Sequence, residues 1–128
     1  MSIRALALDW LAPRHRVGKG RILTSKYYEP AESWTGADAW WVQIPLVALD
    51  QDPFVHIVVQ SAPGSTEFRY LRVPTTYLRQ HVNGLATLKE THLSLFLDAG
   101  PRTFIDRRGS TGVPFAQFEI TTEHPDEG

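Results

Sequence analysis

The chain has 128 residues, 42% of them apolar and 21% charged, and no cysteine. That length and apolar content fit one core-forming domain and exclude a disordered chain, a disulfide scaffold, thiolate zinc sites and cysteine nucleophiles. The formal charge of −1 marks no global attraction to nucleic acid or membrane, and no apolar run reaches the roughly 18 residues of a membrane span.

The near-zero total hides an asymmetry. Residues 1–28 hold six Lys or Arg against Asp9 alone, a net +5, while the remaining hundred carry −6. The end of the chain is acidic, with Glu123, Asp126 and Glu127. Such blocks fit an anionic partner at the front or contact between the two ends; an unevenly charged, solvated surface is the plainer alternative.

In chain order, Ser2 is placed to cap a helix over residues 2–12, on which Ile3, Leu6, Ala7, Trp10 and Leu11 make one apolar stripe before Pro13. Asp9 and Trp10 within it, and a basic stretch after it, argue against a secretory signal, so a cytoplasmic location is the default expectation. "RHRVGKGR" reads as a loop, residues 21–28 as a strand, and "EPAESWTGAD" as a loop. "AWWVQIP" is a strand ending at Pro45, and "LVALDQDP" allows one helical turn.

"FVHIVVQ" reads as a central strand buried on both faces, turned by "SAPGS" into the alternating strand "EFRYLRV". Thr75 or Thr76 then caps a helix carrying Leu78, Val82 and Leu85, stopped by Asn83 and Gly84. "THLSLFLD", "TFID" and "PFAQFEIT" complete the strands, with "RRGSTG" as a flexible loop between the last two. There is no β-α-β rhythm. The expected fold is a β-rich α+β single domain over residues 1–121, an antiparallel barrel or roll of six to seven short strands with two short helices. A flexible acidic tail at 122–128 follows it.

Catalytic patterns are missing. No G-x-x-x-x-G-K-[ST] or G-x-G-x-x-G occurs, and "GKG" at 18–20 precedes a strand, where no helix N-terminus holds phosphate. No G-x-S-x-G places a serine nucleophile, and Glu67-Phe68-Arg69 has Arg where a restriction-type nuclease motif needs Lys. The five histidines lack metal-ligand spacing. His56 and His92 face each other only if their strands pair suitably, with Asp98 further along; a satisfied core histidine outweighs a metal site there. Asp98 and Asp106 as paired carboxylates fall short because Asp98 ends a strand before "AGPR", where aspartate is ordinary turn material. No catalytic residue, metal site or cofactor is assigned.

What remains is a surface. "YYEPAESWTGADAWW" packs Tyr27, Tyr28, Trp34, Trp40 and Trp41 into 15 residues, five of the fourteen aromatics. Alternation puts one of Trp40 and Trp41 in the core, and Trp34 is the loop aromatic best placed to grip a partner or a base. Arg107 and Arg108, ahead of two glycines, offer guanidinium forks for phosphate. With Arg14, Arg16, Lys19, Arg21 and Lys26 they form two basic arms flanking a groove if the fold brings them together.

A basic strand ("RILTSK"), a loop carrying Thr35-Gly36, a strand closing in Ile44-Pro45, a helical turn, a hairpin and a second short helix resemble the plant B-three-type pseudobarrel. That seven-stranded DNA-recognition fold also serves as the effector or specificity domain of some restriction enzymes. The resemblance covers residues 20 to 120 and implies two arms that grasp the major groove, the first falling in place on Arg21 and Lys26. "EFRYLRVP", in the place of the second, is less basic than the family's arm.

The leading expectation is therefore a non-enzymatic module for double-stranded DNA, an accessory or specificity component of a DNA-processing or defence system. Its residues are Arg14, Arg16, Lys19, Arg21, Lys26, Trp34, Arg107 and Arg108. The alternative is a protein-interaction module or small subunit, binding a partner or itself through Tyr28, Trp34 and Trp41. Third is a small-molecule-binding barrel using His56, His92 and Asp98.

Overall fold

The computed structural model describes residues 2–17, 20–33, 36–100 and 103–121. Lys19, Trp34 and the 122–128 tail lie outside the described residues. Over the described residues the chain is strand-rich α+β, with seven strands in two sheets. No described helix is long and apolar enough to cross a membrane.

Helix α1 (Ile3–Leu11) starts where the sequence places it, because the Ser2 hydroxyl accepts the Ala5 N–H at 3.1 Å. Strands β1 (Arg21–Ser25), β3 (Phe54–Gln60), β4 (Phe68–Pro74) and β7 (Glu119–Ile120) form one sheet in the order β1-β3-β4-β7. Strands β2 (Ala39–Pro45), β6 (His92–Asp98) and β5 (Ala86–Leu88) form the other, in the order β2-β6-β5. Antiparallel pairing dominates, as expected, and β1 with β3 is the one parallel pair of the described ladders.

Alternation explains how the layers stack. Val55, Ile57, Val59, Leu71 and Val73 from the first sheet meet Trp40, Val42, Ile44, Leu93, Leu95 and Leu97 from the second in the main core. The other face of β3 and β4 presents Val58, Phe68 and Tyr70 to α1, whose Ala7 and Leu11 close a second core. β3 is thus buried on both faces from Val55 to Gln60, because a helix covers one and a sheet the other. The short α2 (Ala48–Gln51) and α3 (Thr75–Gln80) plug one end of the main core with Ala48, Leu49 and Leu78.

Several expectations change. The strand expected over residues 21–28 ends at Ser25, and Tyr28 makes only an isolated bridge to Ala39. "TFID" forms no strand: Ile105 and Asp106 make only isolated bridges, to Pro114 and Leu97. Phe104 has φ of 65°, the left-handed region that breaks a pleated ladder. "PFAQFEIT" is mostly a 3-10 turn over Ala116–Phe118, leaving two residues of β7. α3 is capped by neither threonine. Its N-cap is Pro74, the Thr75 hydroxyl donates back to the Asp52 carbonyl at 2.7 Å, and the helix gives way to a 3-10 turn over Val82–Gly84.

The sheets approach at one flank, where Trp41 N–H donates to Ser25 Oγ at 3.0 Å, and between the segments that follow β6 and precede β7 the Phe115 N–H donates to the Phe104 carbonyl at 3.0 Å. Among the described residues no ladder closes them into a continuous barrel.

Candidate nucleic-acid interface

The outer face of the three-stranded sheet follows from the register. Trp41 lies directly across from Phe96, and Gln43 across from Ser94. Trp40, one residue away, points inward at 1% exposure, and its indole N–H donates to the Gln60 carbonyl at 2.7 Å. Trp41 is the partly exposed member of the pair. Its ring runs nearly parallel to Phe96, 5.6 Å between centroids, and its indole N–H donates to Ser94 Oγ at 3.0 Å.

On the far side, the Arg108 guanidinium sits 5.7 Å from the Phe96 centroid. This brings an aromatic pair and a cation into one row across the sheet. Arg107 continues the row, its Nε 3.7 Å from Asp98 Oδ2.

The arginine loop is fixed, which corrects the expectation of a flexible loop. Asp106, 1% exposed, accepts the N–H groups of Phe96, Arg108 and Gly109 at 3.1, 3.2 and 2.9 Å. Arg107 N–H donates to the Phe96 carbonyl at 2.7 Å, and Ser110 N–H to the Gly84 carbonyl at 3.1 Å. Burial pushes the Asp106 carboxyl above its ordinary range, while those N–H groups and the Arg108 charge pull it back. Only glycine fits at 109, where a Cβ would come within 2.1 Å of the Gly84 carbonyl oxygen. Any anion held here meets guanidinium groups rather than the loop's backbone.

On the other side of Trp41 a groove of about 320 Å³ opens between β1 and β2, lined by Arg4, Leu23, Thr24, Trp41 and Gln43. Arg4 reaches it from α1, with Nη1 donating to the Ile22 carbonyl at 2.8 Å.

The amino-terminal cations do not gather on one surface. Arg21 pairs with Asp52 at 3.3 Å, at the end of the fold that carries α2. Lys26 sits at the opposite end of β1, 2.6 Å from Glu32 and over the Tyr28 ring at 4.9 Å. The contact with Glu32 raises the Lys26 pKa and lowers that of Glu32. Arg14 folds onto its own helix, donating to the Trp10 carbonyl at 2.8 Å and lying 5.1 Å from that ring. Arg16 is exposed beyond it. Tyr28 bridges Ala39, which pairs with Asp98. That register sets the Lys26–Tyr28 segment two strand positions from Asp98, which holds Arg107.

The third set does not assemble. His56 is fully buried in the four-stranded sheet, its Nδ1 2.7 Å from the Tyr70 hydroxyl. His92 and Asp98 occupy opposite ends of β6 in the other sheet. Among the described residues no three His, Cys, Asp or Glu stand close enough to hold a metal ion. The residues that sequence reasoning missed are Arg4, Thr24 and Gln43, with Ser94 and Phe96, 0% and 5% exposed, as the buried supports of Trp41 and Arg108. The alternation of "AWWVQIP" and "HLSLFLD" carries the signal for the last three, once the two strands are known to pair.

No protein-family model, curated protein or solved structure matches this chain.

Proposed function

We propose that the chain is a non-enzymatic module that binds duplex DNA across the outer face of β2 and β6. The observation that carries this reading is the row from Arg4 through Trp41 and Phe96 to Arg108 and Arg107. Its two carboxylates are engaged within the fold: Asp98 by Gly100 N–H and Arg107, Asp106 by three backbone N–H groups. Cations therefore flank the partly exposed Trp41 and Gln43, with Ser94 and Phe96 buried beneath them. From β2 through β6 to the segment beside it the row crosses two ladder steps, roughly 10 Å at about 4.8 Å per strand, and it continues over the seam to β1 and Arg4. That matches the scale of a major groove about 12 Å wide with phosphates on either side. The two sheets then act as halves of an open barrel presenting one wall to DNA, in place of the two arms that the family resemblance implies, and a cytoplasmic location goes with this role.

Fluorescence anisotropy of labelled duplex at about 50 and 200 mM salt tests it. Three neutralised phosphates give a slope near −2.7 in log affinity against log salt, a loss of about 40-fold over that interval. Arg107→Ala with Arg108→Ala should reduce the loss to about 3-fold. Absence of binding at the lower salt would retire the proposal.

A second reading rests on a separate apolar groove of about 360 Å³ lined by Leu8, Leu11, Ala12, His15, Val17 and Ile22. A protein partner or a second copy seated there predicts a stable complex indifferent to salt and to the arginine pair, read by sedimentation velocity.

A further inference from the structure

The groove between β1 and β2 has more chemistry than a phosphate contact needs. β1 and β2 are the edge strands of different sheets, so the groove is the seam where the two sheets part. Thr24 comes from one and Gln43 from the other. Neither side chain hydrogen-bonds to another described residue, although most polar groups nearby are paired. Trp41 supplies an aromatic wall, Leu23 an apolar contact, and Arg4 stands at the rim with one donor committed to the Ile22 carbonyl. A guanidinium has five N–H groups, so further donors face outward.

An amide that both donates and accepts, a hydroxyl, a stacking face and a cation are the complement of a planar heterocycle bearing a phosphate. The volume of about 320 Å³ is at the small end of ligand pockets, roughly 300–1,000 Å³, which suits one base. A paired base inside a duplex cannot present its Watson–Crick edge to such a pocket; an extruded one does.

We infer that this groove is a pocket for one unpaired nucleobase with its phosphate: the ring stacks on Trp41, its edge meets Gln43 and Thr24, and the phosphate meets Arg4. The inference deepens the DNA-binding reading and takes from it the source of the base. A free nucleotide is the other source of the same chemistry.

The full chain is titrated into a perfect duplex, into the same duplex carrying one extra unpaired adenine, and with dAMP as competitor. Wild type, Gln43→Ala and Thr24→Val are compared, each checked by circular dichroism. The expected result is at least tenfold tighter binding of the bulged duplex, with both variants collapsing the ratio of the two affinities toward one. 2-Aminopurine placed at the bulge should lose fluorescence on binding wild type, as stacking on Trp41 requires. If wild type binds both duplexes equally, or the ratio survives both variants, the pocket assignment is wrong while the DNA-binding reading stands. If neither duplex binds, the DNA-binding reading fails. Direct dAMP binding, read by isothermal titration calorimetry and removed by Gln43→Ala, then assigns the pocket to free nucleotide, and no dAMP binding overturns it.

Discussion

Asp106 decides whether the arginine loop is a fixed part of the surface. A carboxylate offers the acceptors that three converging backbone N–H groups need, at 2.9 to 3.2 Å; an asparagine replaces one acceptor oxygen with a donor. Asp106→Asn should cost about 2 kcal/mol in urea unfolding, the scale of a buried N–H left without a partner, and should weaken DNA binding by loosening Arg107 and Arg108. Tyr27 gives a second test at this scale. Burial, then its 2.5 Å hydrogen bond to Asp38, push its hydroxyl up to about 12. Folding favours the protonated phenol, so this contribution is intact below about pH 10, the ordinary tyrosine value, and is lost as the pH rises toward 12. Spectrophotometric titration should show Tyr27 ionising late, and Asp38→Asn should bring its midpoint down.

The elements show which physical signals a sequence carries locally. Ser2, the 3.6-residue stripe of α1, the two-sided burial of β3 and the "SAPGS" hairpin are all written in near neighbours, and each is found in place. The last third is not local. Phe104 takes its left-handed φ while fully buried, stacked on Trp40 at 4.9 Å and near the Arg69 guanidinium at 4.7 Å. Partners more than thirty residues away hold it there, so no pattern in "TFID" announces the break. Thr75 likewise faces the Asp52 carbonyl, across the start of the β3–β4 hairpin, instead of capping its own helix. The cover that α1 gives to β3 and β4 is testable. Leu11 is 2% exposed against Val58 and Phe68, and Leu11→Ala should cost about 2–4 kcal/mol in urea unfolding.

For the whole molecule, the basic front was legible as charge but not as place. The sequence shows Arg14, Arg21 and Lys26 within thirteen residues, whereas the fold sends them to α1, to the α2 end and to the loop end, where Asp52 and Glu32 hold the last two. Arg107 and Arg108 were legible as a pair. Their alignment with Trp41 depends on β2 pairing β6 across more than fifty residues, which short-range patterns do not encode. Amide and side-chain NMR shift mapping with a short duplex shows which face of the protein meets DNA. Perturbations are expected at Arg4, Thr24, Trp41, Gln43, Arg107 and Arg108, with the α1 groove around Leu8 and Val17 unmoved. Perturbations confined to that groove, or spread over Arg14, Arg16 and Arg21 while Trp41 stays still, would contradict DNA binding by the outer face of β2 and β6.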